Sequence, residues 1–110
     1  MSYKVKTTND FDQAIKSIAK KHKGIKSDLA DLIDKLEQNP TLGIALGQNI
    51  YKIRLAISGT NKGKSGGARV ITYVVVVQEI VYLSNIYLKS EHDSIDTERI
   101  VKRLKNEGLI

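Results

Sequence analysis

The sequence predicts an α+β domain: a helical hairpin packed on one face of a twisted, mainly antiparallel sheet of about four strands, with a helix at the C-terminus. Three observations lead there. Residues 11–36 carry apolar side chains at helical spacing, residues 50–88 switch to strand-like runs, and residues 93–108 return to a capped helical pattern. The 110 residues suit one domain spanning 1–110, long enough for a single layered core.

Tyr3 to Lys6 alternates as a short first strand. Asn9 or Asp10 is the expected cap of the first helix, whose apolar stripe is Phe11, Ala14, Ile15, Ile18, Ala19 and His22. Lysines gather in its last turn, where positive charge suits the helix dipole, and Gly24 is expected to end it. Ser27 is the expected cap of the second helix, with the stripe Leu29, Leu32, Ile33 and Leu36, stopped by Asn39-Pro40. In Ile50 to Ile57, Tyr51, Ile53, Leu55 and Ile57 face one way while Lys52, Arg54 and Ala56 face the other. The Gly-rich stretch 58–67 reads as a loop. Arg69 to Val77 is apolar on both faces, which marks a central strand, and Ile80 to Leu88 is the next. Asp93, Ser94 or Asp96 caps a final helix bearing Ile100, Val101 and Leu104, closed by Gly108.

The composition excludes several classes. With no cysteine there are no disulfides and no thiolate metal sites. The first ten residues lack the apolar core of a signal peptide, and no apolar run approaches the roughly 20 residues of a membrane span. The cytoplasm is the default compartment. The net charge is +6, and residues 41–90 carry most of it, with six basic residues against one acid, Glu79. That imbalance favours an anionic partner, such as nucleic acid, ribosome, acidic protein or lipid headgroups. His22 and His92 stand in different elements outside any metal-ligand spacing, and the carboxylates at 28, 31, 34 and 37 read as a solvated helix face. No metal or cofactor is expected. His92, in a polar acidic turn, is kept as an acid–base candidate. Residues 58–65 fit the phosphate-loop pattern GxxxxGK[ST] except at Ser58, but they lead into a strand, not a helix, so the match is coincidental.

A cationic sheet face is the stronger constellation. Lys52 and Arg54 share one face of their strand, Arg69 opens the neighbouring strand, and Tyr87 and Lys89 share a face by their spacing of two. A mostly apolar strand that opens on an arginine needs an anion or carboxylate for it. Such a face suits metal-free RNA cleavage, in which a 2′-hydroxyl attacks the adjacent phosphate, cations stabilise the charged transition state and an acid protonates the leaving oxygen.

These residues resemble the RelE/ParE toxin superfamily of bacterial toxin–antitoxin systems, nearest its HigB-like members. The segments IYKIRLAIS (50–58), GKSGGARVITYV (63–74) and IYLKSEHDSI (86–95) carry the resemblance, and the order of elements extends it over the whole chain. The resemblance implies a RelE-like fold and a ribosome-dependent mRNA endonuclease cutting in the A site. It also implies a cognate antitoxin whose complex binds operator DNA. By position, Lys52, Arg54, Arg69, Tyr87 and Lys89 are the implied catalytic set, and Lys62, Lys64 and Ser65 the implied RNA- or ribosome-binding loop. Ala68 replaces the aromatic that many members place before the arginine, and no tyrosine follows Lys89. General base and acid are left among Tyr87, Lys52, Lys89 and His92. Two alternatives stand beside this reading: a ParE-type inhibitor of DNA gyrase, and a non-catalytic basic module that binds RNA or protein.

Overall fold

The computed structural model describes residues 2–59, 67–91 and 96–110. Among them are five strands, β1 (Lys4–Thr7), β2 (Ile44–Gly47), β3 (Ile50–Leu55), β4 (Ala68–Val75) and β5 (Ile80–Leu88), and three helices, α1 (Asn9–Lys21), α2 (Ile25–Gln38) and α3 (Thr97–Asn106). The strands form one sheet in the order β1-β5-β4-β3-β2. Every neighbouring pair is antiparallel except β1 with β5, which is parallel. The expected sheet of about four strands therefore has a fifth, β2. Residues 41–49 lack the alternation that announces a strand, and β2 is short, bulged and mostly exposed.

β2 turns into β3 through Gln48 and Asn49, both at positive φ, the geometry that matches the twist of a two-residue hairpin. Gly43 stands just before β2 at φ +102°, where a Cβ would lie 2.4 Å from the Lys52 carbonyl oxygen. Only glycine fits that conformation and that approach.

Thr8, not Asn9 or Asp10, caps α1. Its buried hydroxyl accepts from the Phe11 N–H at 3.2 Å and donates to the Ser84 carbonyl at 2.8 Å. One side chain thus starts the helix and ties it to β5. α1 ends at Lys21 with His22 as its C-cap, so Gly24 lies in the joint between the helices. α2 begins at Ile25, ahead of the expected Ser27 cap. A Cβ on Gly24 would meet the Ser58 carbonyl oxygen at 2.6 Å, and the Ser58 N–H donates to the Asp28 carboxylate at 2.7 Å. The chain leaving β3 is held against the joint of the hairpin in this way.

The two faces of the sheet have separate cores. On one, Phe11, Ile18, Ile25, Leu32 and Leu36 of the hairpin pack on Ile53, Val70, Val74, Val81, Leu83 and Ile86. On the other, Ile100 and Leu104 of α3 pack on Ile50, Ile71 and Tyr87. The partner of Ile71 is Asn85 and that of Thr72 is Leu83, so Ser84 is one extra residue in β5. This bulge lets Leu83 and Ile86 both enter the hairpin core while Asn85 and Tyr87 face α3. β4 is the middle strand, buried on both faces, as its unbroken apolar run predicts. The strand stops at Val75, and Val76 and Val77 are an exposed turn instead of its continuation.

Candidate functional site

The register brings the predicted residues together on the α3 face. Arg54 of β3 is paired with Arg69 of β4, and Arg69 with Tyr87 of β5. Partners on adjacent strands stand about 5 Å apart at their Cα atoms and project to the same side. Arg54, Arg69 and Tyr87 therefore make one row across three strands. Lys52 occupies the next row of that face, beside Ile71 and Asn85. Lys89 lies just beyond β5, its N–H donating to the Gly67 carbonyl at 3.0 Å. Lys62, Lys64, Ser65 and His92 lie outside the described residues.

The row is graded in exposure. Arg54 is exposed, Lys52 and Lys89 are half-buried, and Arg69 retains 5% of its accessible surface. The Arg69 guanidinium donates to its neighbour's carbonyl, Ala68 O, at 3.1 Å through Nη1. Arg69 is therefore buried at the start of the central strand, directly after the small Ala68. Burial pushes the Tyr87 hydroxyl above its ordinary pKa, and the Arg69 charge only partly opposes it. Tyr87 thus keeps its proton at neutral pH. Here desolvation by α3 and the sheet outweighs the nearby cation.

Beside Tyr87, a groove of about 550 Å³ runs between α1 and α3 over the upper part of β5. β1 pairs with β5 only as far as Leu83, so residues 84–88 form an edge along this groove. That edge is blunted: Thr8 takes the Ser84 carbonyl, and the Asn85 side-chain oxygen accepts the Ile86 N–H at 2.8 Å. At one end Arg103 grips Asp10 with two hydrogen bonds, one of them 2.8 Å from Nε, and the Asn9 N–H reaches Glu107 at 3.2 Å. The Arg103 guanidinium hydrogen-bonded to Asp10 holds that carboxyl below the usual range, against a smaller opposing effect of burial. At the other end Lys21 and Glu91 stand 3.8 Å apart. Arg99 also lines the groove. Sequence reasoning passed over Arg99, although its spacing of four from Arg103 puts both on one face of a helix.

The geometry offers a buried arginine, a second and exposed arginine one strand away, a protonated tyrosine and two half-buried lysines on a rigid floor. Exposed Arg54 and half-buried Lys52 are placed to meet a phosphate, with Arg69 and the Tyr87 hydroxyl buried behind them.

Comparison with known proteins agrees with the fold. The structure of the E. coli toxin RelE, solved as a doubly substituted mutant in the free state, superposes with a TM-score of 0.65 at 18% identity, covering 94% of this chain and 99% of that one. A search of curated proteins finds no match. The family profile described as RelE toxin of RelE / RelB toxin-antitoxin system matches residues 5–107. With nearly the whole length matched, this chain belongs to the RelE toxin family and is the toxin of a toxin–antitoxin system, which implies a cognate antitoxin as its partner.

Proposed function

We propose that the chain is a metal-independent, ribosome-dependent mRNA endonuclease that blocks translation. The observation that supports this best is the row Arg54–Arg69–Tyr87, with Lys52 in the adjoining row. In this mechanism a base removes the 2′-hydroxyl proton and the freed oxygen bonds to the adjacent phosphorus. The bond from phosphorus to the 5′-oxygen breaks, and that oxygen takes a proton from an acid. The products are a 2′,3′-cyclic phosphate and a 5′-hydroxyl. Arg69, fixed by its strand, holds the non-bridging oxygens, and exposed Arg54 adds charge as the pentavalent state develops. Tyr87, beside Arg69 in the row, is the candidate acid for the leaving oxygen, although its hydroxyl is buried and its pKa raised. Lys52, Lys89 and His92 are the candidates for base. Lys62, Lys64 and Ser65 contact the RNA backbone of message or ribosome. The antitoxin neutralises the chain, and their complex reads operator DNA.

The test is primer extension on a message in a purified translation system, with and without ribosomes. Cuts are expected only with ribosomes, and Arg69→Ala should lower the cutting rate by roughly 10²–10³. Intact message alongside continuing translation, with folded protein, would overturn the reading and leave gyrase inhibition or simple binding.

A further inference from the structure

The α3 face has a second end, remote from the arginine row. Tyr73 of β4 and Tyr82 of β5 are cross-strand partners there, their rings 6.3 Å apart between centroids and inclined by 18°. Both are half-buried. Their face follows from their neighbours. Val74 and Val81, the adjacent pair, are in the hairpin core, so Tyr73 and Tyr82 project to the opposite side, that of α3. On the far side of Tyr82, the parallel partner on β1 is Lys6, and Lys4 is next along the same face. Val5, between them, packs into the hairpin core, which confirms the alternation. Lys4 and Lys6 are exposed and form no ion pair among the described residues. Glu107, the acid nearest the end of α3, accepts the Asn9 N–H.

We propose that Tyr73, Tyr82, Lys4 and Lys6 form a shelf for single-stranded RNA, on which an unpaired base stacks on the tyrosines while the lysines meet its phosphates. This deepens the RNA-cleavage reading by naming a part of the substrate held away from the scissile phosphate. Tyr73 packs on the core beneath α3, and the half-buried pair leaves ring surface at the margin of that core, where a splayed base can stack because every base offers a flat π-surface. Two near-parallel rings with cations on one flank suit a nucleotide strand better than a protein surface, which offers no repeating pair of flat ring and anion. The four residues come from three strands, so rigid backbone sets their spacing.

The probe is a short fluorescein-labelled oligoadenylate with 2′-deoxy sugars, which cannot be cleaved by 2′-hydroxyl attack, titrated into the full chain without ribosomes. Binding is read by polarisation and by quenching of the intrinsic emission, which comes from tyrosine alone because the chain has no tryptophan. Tyr82→Leu should weaken binding roughly 5- to 150-fold, the range for loss of one base–aromatic stack, while Tyr82→Phe should retain it. Joint Lys4→Gln and Lys6→Gln substitution should reduce the salt slope by about 1.4, two phosphates at about 0.7 each. If Tyr82→Leu does not fold, the lysine pair decides alone. Absence of binding by the unaltered chain, or unchanged affinity in folded Tyr82→Leu, would overturn the shelf. So would an unchanged salt slope in the lysine variant. Failure of the shelf is distinguishable from failure of the cleavage reading. Tyrosine-dependent binding without ribosome-dependent cuts retains the shelf and removes cleavage, whereas cuts with tyrosine-independent binding do the reverse.

Discussion

Leu104→Ala should release α3 without unfolding the sheet. Leu104 is 1% exposed and, with Ile100, is the buried grip of α3 on Ile50, Ile71 and Tyr87. α3 has ten residues, and isolated helices shorter than about 12–15 residues are marginal in water, so docking keeps this one formed. Truncating a buried leucine costs about 2–5 kcal/mol. The lower part of that range, about 2–3 kcal/mol, applies here because a short terminal helix can shift to shrink the void. That raises the undocked population roughly 30- to 160-fold. Native-state hydrogen exchange reads it directly. Amides in the last turns of α3 should exchange faster by that factor, while those of Val70 and Val74 in the middle strand should change far less. Equal acceleration in α3 and β4 would refute the reasoning, because the two cores would then open as one unit.

Two further outcomes test other joints. Gly43→Ala should lower the urea midpoint by more than Gly47→Ala. Both residues have positive φ and carry about 1–3 kcal/mol of backbone strain on substitution, but only at Gly43 does the new Cβ meet the Lys52 backbone, whereas Gly47 has open space. Equal midpoints would mean that this close approach is relieved by movement of β2. For Asp10, the folded carboxyl is depressed below its ordinary 3.8, so its contribution is fully present above that value and is lost as pH falls through the folded pKa. Protection of the α3 amides, relative to their intrinsic exchange, should therefore fall below about pH 4. Asp10→Asn should show quickened exchange already at pH 7 and a flatter acid response, whereas an unchanged acid response would detach the clamp from this pair.

The helices were legible because Phe11, Ile18, Leu32 and Leu36 repeat at the spacing that lines one helix face, and burial follows that stripe. The central place of β4 was legible for the opposite reason, since a strand covered on both sides has no polar face to show. Asp96 does cap α3, as one of its three expected caps, but the caps of α1 and α2 slipped by a residue or more. Thr8, Asn9 and Asp10 can all accept a backbone N–H, and the choice fell to Thr8 because it also reaches Ser84, a tertiary fact. Alternation within each strand put Lys52 with Arg54 and Tyr87 with Lys89 on shared faces. Register was not readable: nothing local states that Arg54 stands opposite Arg69, or that Ser84 is an extra residue restoring the phase of β5. The seat of α3 was hidden too, because Ile50 and Ile71 look like ordinary strand residues until the second core forms around them. Tyr73 and Tyr82 meet across one hairpin, but Lys6 is far from both in the chain and joins them only through the pairing of β1 with β5.

The parallel pairing of β1 with β5 also sets a timetable. Lys4 meets Ile80 and Thr7 meets Leu83, so the first strand emerges long before its partner exists. At translation rates of about 5–20 residues per second, this wait lasts roughly 4–15 s. Throughout it the underside of the hairpin, with Phe11, Ile18, Leu32 and Leu36, has no completed sheet to cover it, and the valine-rich run of β4 emerges before β5 can flank it. Non-local closure of this kind is slow and exposes sticky surface. The newborn chain is therefore most vulnerable to aggregation and proteolysis during its own synthesis, and a partner that engages the hairpin early would shelter it through that interval.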